Sequence, residues 1–362
     1  MNHKENMIRA YRRQKPEWIP VASGLPYLDW EKFGYDVDEL ESVCLRHEIL
    51  FPGFARGNLR KNHENVPGLF PDMVENRRYT DYWGCVWETK HTGMVGAVVY
   101  HPLVDYSALE SFKAPDSGKC NGLHIIDWEE LERHSGLAKQ YDGFFGMGLP
   151  HGHTFLRLSD LRGYQNLILD MASEEPGLET LIGVVVDFNM ELINRMVPLC
   201  PDMISIPEDL GMKNSPMITP GQFRKYIAPG YRRYSRPIKQ AGIILHQHSD
   251  GFILPLMDAI LEAGVDVINL QDLVNGVDNI ARELKGRTAI DLDIDRQSVT
   301  VTGSPGDIDA HIRECVEKLA APEGGLSICY QPWPPTPAKN LDAAFTALEK
   351  YCVKDYGKGY LY

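Results

Sequence analysis

Hydrophobic and polar positions fall into two alternating rhythms from about residue 143 onward. Short apolar runs stand at Met203–Ile206, Gly242–His246, Val265–Leu270, Thr288–Leu292 and Leu326–Cys329. Each has the length and boundaries of a buried strand. Between them, apolar residues recur every three or four positions. In Pro176–Leu199, for example, Leu178, Leu181, Ile182, Val185, Phe188, Leu192, Ile193 and Met196 share one broad helical face. Thr219-Pro220 reads as an N-cap with proline in the first turn of a helix. Further helices are predicted at Phe252–Ala263, closed by Gly264, and at Val277–Leu284, Gly306–Leu319 and Lys339–Tyr351. Upstream the rhythm is weaker. A short helix over residues 3–15 and a strand at Ile19–Ala22 are legible, whereas residues 25–125 read as loops with short strands at Tyr82–Glu88 and Val95–Val99.

Strands separated by single helices predict parallel βα units. Neither a Gly-x-Gly-x-x-Gly turn nor a GxxxxGK[ST] loop joins a strand to a helix, so a nucleotide-binding sheet is disfavoured. The expected fold class is therefore α/β, a (β/α)8 TIM barrel. It would form one domain over residues 1–362, with an irregular N-terminal region of about 1–140.

Charge narrows the choice of partners. The 362 residues carry 37 Lys and Arg against 50 Asp and Glu, a net charge of −13, which repels nucleic acid and anionic membrane alike. The N-terminus lacks the apolar core of a secretory signal, and no run is long enough to span a bilayer. Seven widely spaced cysteines without a CxxC pair fit reduced thiols, so a cytoplasmic location is expected.

Barrel enzymes place their chemistry at the C-terminal ends of the strands, so polar residues that directly follow an apolar run are the candidates. His246, His248 and Asp250 alternate after Gly242–Leu245 and can face one side as metal ligands. Cys329 ends a strand and gains meaning if it meets that group in space. Glu208-Asp209 follows Met203–Ile206; one of the two carboxylates is expected to enter the site as ligand, proton carrier or support for a histidine. His151 and His153 follow Gly148-Leu-Pro and can share a face. Trp83, Trp87, Phe144, Phe145, Tyr330 and Trp333 are candidates to line the mouth and hold a flat ligand. Each residue also has an ordinary alternative, because strand-end histidines bind loops, cysteines fill cores and aromatics pack.

Several segments resemble the uroporphyrinogen decarboxylase-like superfamily. They are Glu208-Asp-Leu-Gly-Met with Pro216–Pro220 and Tyr226–Pro229, His248-Ser-Asp-Gly with Ile260–Asn269, and Thr336–Leu341, supported by Lys15–Val21 and Asp160–Gly163. The resemblance implies a single (β/α)8 barrel. Decarboxylases of this superfamily carry an arginine-rich segment after the first strand, whereas Gly24–Phe33 holds no arginine here. In the corrinoid methyltransferase branch, zinc is held by a His-x-Cys motif and a later cysteine. His248-Ser-Asp250 and Cys329 are similar, with aspartate in place of the first cysteine. A harder ligand set suits activation of an oxygen-bound methyl group.

The resemblance thus implies a methyltransferase acting on an O-methylated, methoxylated aromatic small molecule. The acceptor would be the corrinoid of a separate carrier protein. Zinc would sit on His246, His248, Asp250 and Cys329, with Glu208, His151 or His153 as proton donor and Trp83, Phe145, Tyr330 and Trp333 around the substrate. Three other readings stay open: a metal-free decarboxylase or lyase using Lys213 or Arg232, a methylcorrinoid:thiol methyltransferase, and a binding barrel without turnover.

Overall fold

A computed structural model describes residues 1–26, 28–60, 75–91 and 95–355. Tyr27, within the Gly24–Phe33 stretch, lies outside them. In chain order the strands are β1 (Val21–Ser23), β2 (Arg78–Thr80), β3 (Val86–Glu88), β4 (Ala97–Tyr100), β5 (Gly146–Gly148), β6 (Met203–Ser205), β7 (Ile244–Ser249), β8 (Val267–Gln271), β9 (Ala289–Asp293) and β10 (Leu326–Tyr330). The longer helices are α1 (His3–Arg12), α2 (Val37–Arg46), α3 (Trp128–Gln140), α4 (Phe155–Arg162), α5 (Tyr164–Ser173) and α6 (Pro176–Met196). They continue with α7 (Ala228–Gln240), α8 (Met257–Glu262), α9 (Val277–Leu284), α10 (Pro305–Leu319) and α11 (Ala338–Leu348). Strands followed by helices in parallel order make this an α/β fold of the (β/α)8-barrel class, as the two rhythms predict.

Packing divides the chain into two compact units. The first contains the N-terminal segment up to Glu75 and the chain from Gln271 onward. Within it β1 lies parallel to β10, and β10 parallel to β9, so Cys329 sits opposite Ala22 on one side and Asp293 on the other. The second contains Asn76–Lys90 and Val95–Leu270. Here β5, β6, β7 and β8 run parallel in that order, while β2, β3 and β4 form an antiparallel meander.

Local chemistry explains the main elements. On α6 the sequence-predicted stripe is buried: Leu178, Leu181, Val185, Phe188, Leu192 and Ile193 are almost fully shielded. Each such side chain contributes about 1.5–3 kcal/mol by leaving water. Thr219 forms a capping box with Gln222, and the helix then widens into a π turn over Phe223–Ile227 before continuing as α7. The turn after β7 delays α8 to Met257, because Pro255 lies in a preceding 3-10 turn.

Four of the longer helices, α2, α3, α4 and α5, escape the sequence reading. In α2, Asp36 caps the Asp38 and Glu39 amides, and Val37, Leu40, Val43 and Cys44 form the buried stripe. In α3, Asp127 caps the Glu130 amide, but Ser135 is the sole buried residue of the helix, so no apolar stripe announces it. The expected strand at Tyr82–Glu88 shrinks to β3. The Asp81 carboxylate accepts from the Trp83 and Cys85 amides and bends that stretch into a turn. No described helix is long and apolar enough to cross a membrane. Among the described residues the seven cysteines form no disulfide.

Candidate active site at the ends of β5, β6 and β7

Three segments of the second unit leave parallel strands at their C-terminal ends and converge. His151 follows β5, Asp209 follows β6, and His248 lies near the end of β7. The imidazole nitrogens and the carboxylate oxygen all fall within 4.8 Å of one another. Asp209 Oδ1 is 3.4 Å from His151 Nε2 and 3.6 Å from His248 Nε2. Asp250 joins from the next turn, 3.8 Å from His248 Nε2. All four side chains keep partial solvent access, as a substrate-binding mouth requires.

Glycines make this convergence possible. The loops after β6 and β7 cross at Gly211 and Gly251, where a Cβ on either residue would stand 2.4–2.5 Å from the other's backbone. Gly251 also has φ +80°, a region that side chains rarely tolerate. The crossing is stitched by Leu210 N–H donating to Ser249 Oγ (2.8 Å), Phe252 N–H to the Met212 carbonyl (2.8 Å), and Asp250 N–H to Asp209 Oδ1 (3.0 Å). The Asp209 carboxylate is thereby held by the Asp250 backbone.

Electrostatics follow from this packing. Burial alone would raise the Asp209 carboxyl, but its hydrogen bond to His151, the charge of that ring and the Asp250 amide outweigh it and hold the group down at about 2. For His151 burial opposes the charged form, yet Asp209 outweighs it and keeps the ring above its ordinary value. His248 goes the other way, since burial disfavours its charge more than its acidic neighbours favour it. Its Nδ1 is hydrogen-bonded to Asn269 Oδ1 on β8. The amide oxygen accepts, so the ring proton sits on Nδ1 and the Nε2 lone pair faces Asp209 and Asp250.

The remaining sequence candidates are placed differently. Glu208, expected among the proton carriers, is fully buried (0% exposed). Its oxygens accept from Tyr231 Oη (2.6 Å) and from the Thr154 and Leu156 amides (3.2 Å each). Those amides begin α4, where a carboxylate is favoured by the helix dipole. His153 is sealed beside it, Nε2 3.8 Å from Glu208 Oε1, and burial pushes its pKa down. Because residues 151 and 153 are separated by Gly152 at φ +76°, they do not share a face as strand alternation would have them do. The adjacent pair Glu208-Asp209 likewise splits: Asp209 reaches the open cluster, and Glu208 braces the wall behind it.

His246 lies deeper along β7, with Nδ1 3.0 Å from Ser205 Oγ, and is not part of the open cluster. Trp83 is core, 4% exposed and edge-on to Phe188. Phe145 sits before β5, where its backbone pairs with Asp202 at the N-terminal end of the strand, away from His151. Tyr330 and Trp333 belong to the first unit; Tyr330 is buried against Phe345, and Trp333 is half-buried. Cys329, half-buried on β10, also belongs to that unit. Asn269 was missed by the sequence reading, because it lies inside the run Val265–Leu270, in the middle of β8, where the strand-end rule does not look. Lys213 and Arg232 are both exposed, Arg232 on α7.

Known proteins now bear on this geometry. The model of the uroporphyrinogen decarboxylase (URO-D) family matches residues 155–351, more than half of the chain. The chain belongs to the URO-D family. No curated protein sequence matches it. Among solved structures, a methyltransferase from Methanosarcina mazei is similar at 16% identity and a TM-score of 0.65, covering 96% of this chain and 98% of the other. A B12-independent methionine synthase from a Shewanella species covers 95% and 96% at 13% identity, with a TM-score of 0.41. The URO-D family assignment agrees with the sequence resemblance, and the Methanosarcina structure extends the same fold over the length of the chain.

Proposed function

We propose that this URO-D family member is a methyltransferase that takes a methyl group from an O-methylated, methoxylated aromatic donor. The acceptor in this reading is the reduced corrinoid of a separate carrier protein. The single observation that carries the reading is the meeting of His151, Asp209, His248 and Asp250 at the C-terminal ends of parallel strands. An imidazole with its lone pair aimed at two carboxylates is a donor set that fits zinc. His248, Asp209 and Asp250 would hold the ion, and the family motif adds Cys329 as a proposed ligand. Zinc, when bound, polarises the ether oxygen as a Lewis acid.

The chain's own residues supply the rest. Asn269 holds His248 in one tautomer, and the Asp250 amide orients Asp209. Asp209 favours the charged form of His151, which makes His151 the candidate proton donor to the departing oxygen. As the methyl carbon passes to the corrinoid, the bonding electron pair stays on oxygen, which takes up that proton. The absence of arginine from Gly24–Phe33 and the exposure of Lys213 and Arg232 weigh against a decarboxylase that grips several carboxylates.

Two measurements test this. Elemental analysis of the purified chain is expected to find zinc that falls in His248→Ala and in Cys329→Ala; full metal content in both variants overturns the proposed site. Incubation with reduced corrinoid and a methoxyphenol is expected to change the corrinoid absorbance. No change with a broad panel of O-, N- and S-methyl donors overturns the transferase reading.

A further inference from the structure

A second group of ligand-type side chains lies within the first unit, and the reaction proposed above makes no use of it. Asp272, directly after β8, meets His311 and Cys315, which stand one turn apart on the same face of α10. All three are buried, with Asp272 and Cys315 almost completely shielded from solvent. The Asp272 Oδ2 to His311 Nε2 distance is 2.7 Å, and Cys315 Sγ is 4.0 Å from that oxygen and 3.9 Å from that nitrogen.

We propose that Asp272, His311 and Cys315 form a closed structural site for a thiophilic divalent metal ion such as zinc. The geometry supports this directly. A triangle with sides of 2.7, 3.9 and 4.0 Å has a centre about 2.1 Å from each corner, close to the zinc bond lengths to nitrogen, oxygen and sulfur. Opening the Asp272–His311 contact past hydrogen-bond distance would let these three donors take three corners of a tetrahedral set.

Charge supports it as well. A carboxylate and a thiolate balance a divalent cation, leaving a neutral group in a place where an unbalanced charge would be costly. The carboxylate is already oriented, since Asp272 Oδ1 accepts from the Leu273 amide and Oδ2 from the Asp295 amide (3.1 Å). Binding releases the Cys315 thiol proton to solvent and takes off His311 Nε2 the proton that it donates to Asp272. The neutral imidazole keeps its proton on Nδ1 and turns the Nε2 lone pair to the ion.

The choice of three different donor atoms separates this group from an ordinary Asp–His pair. A hydrogen-bonded pair needs no thiol one helical turn from the histidine, whereas nitrogen, oxygen and sulfur together favour zinc over magnesium or calcium. Held by buried side chains, the ion would stabilise the fold rather than bind a substrate.

The test uses the full chain carrying Cys329→Ser, so that no thiolate remains in the proposed active site. Replacing its metal with Co(II) should give a sulfur-to-cobalt charge-transfer band in the near ultraviolet. That band should persist when His248→Ala is added and vanish when Cys315→Ser is added. Chelation should also lower the Tm of the parent and leave that of the Cys315→Ser variant unchanged. Should Cys315→Ser fail to fold, the parent alone decides: a band with a chelator-sensitive Tm supports the site. Absence of the band, or a band that survives Cys315→Ser, overturns it. Since the readout ignores catalysis and survives His248→Ala, its failure is distinct from failure of the methyltransferase reading.

Discussion

His248 and His311 both meet a carboxylate, yet they lie in contrasting surroundings. His248 stands at a strand end, shares a half-open mouth with His151, Asp209 and Asp250, and has a lone pair left over. His311 points from a helix to a carboxylate almost without solvent exposure, with a thiol as its other neighbour. Similar side chains therefore stand in settings that suit different ends. Open coordination with solvent access suits chemistry on a substrate, whereas a closed set with balanced charge suits the holding of a fold. Glu208 sharpens the contrast within a single dipeptide. It is as buried as Asp272 and bound by a hydroxyl and two amides, while its neighbour Asp209 faces the mouth.

The comparison can be broken most forcefully at His151. If the open cluster performs acid catalysis, His151→Gln should lower kcat by about 10²–10⁴-fold while zinc content holds. Loss of zinc with unchanged turnover per bound metal would make His151 a ligand instead. Next in size is Gly251→Ala, which forces a Cβ into the Gly211 backbone at a positive φ. It should destabilise the chain by about 3 kcal/mol in denaturant unfolding and scatter Asp209 and Asp250. An unchanged unfolding midpoint would show that the crossing loops are not rigid. Asn269→Ala frees the His248 tautomer and should weaken zinc binding about 10–100-fold in a competition titration, with little change in fold stability. Equal zinc affinity would separate Asn269 from the site.

The smallest effect comes from a half-buried carboxylate in neither cluster. Asp160 shares Arg157 with Asp81, and burial raises its pKa to about 6 against the pull of that guanidinium. Its extra folded-state proton stabilises the chain fully below about pH 4, the unfolded value, and this contribution is lost as pH rises through about 6. Because Asp160 retains some solvent exposure, the loss should be about 1–2 kcal/mol. Asp160→Asn should flatten the decline between pH 4 and 7 by that amount; an identical slope in both chains would refute the assignment.

Periodicity carried the second half of the chain because α6 and the parallel strands bury wide apolar stripes, which leave a trace in sequence order. It failed for α3, where burial at Ser135 alone leaves almost no stripe, and for Tyr82–Cys85, where one aspartate carboxylate turns the backbone. The strand-end rule found His151, His248 and Asp250 and pointed at the Glu208-Asp209 pair. It had no means of choosing between the two carboxylates, since adjacent residues differ only in where the loop turns.

What the sequence determined by itself is the order of βα units, the family segments and the chemical inventory at the strand ends. All three depend on residues close together along the chain. Tertiary structure alone decided which carboxylate enters the mouth, that Trp83 is core and Phe145 lies at the far end of its strand, and that Asp272 meets His311 and Cys315. Those outcomes depend on backbone crossings such as Gly211 over Gly251 and on the burial of groups far apart in the chain, which no local pattern encodes.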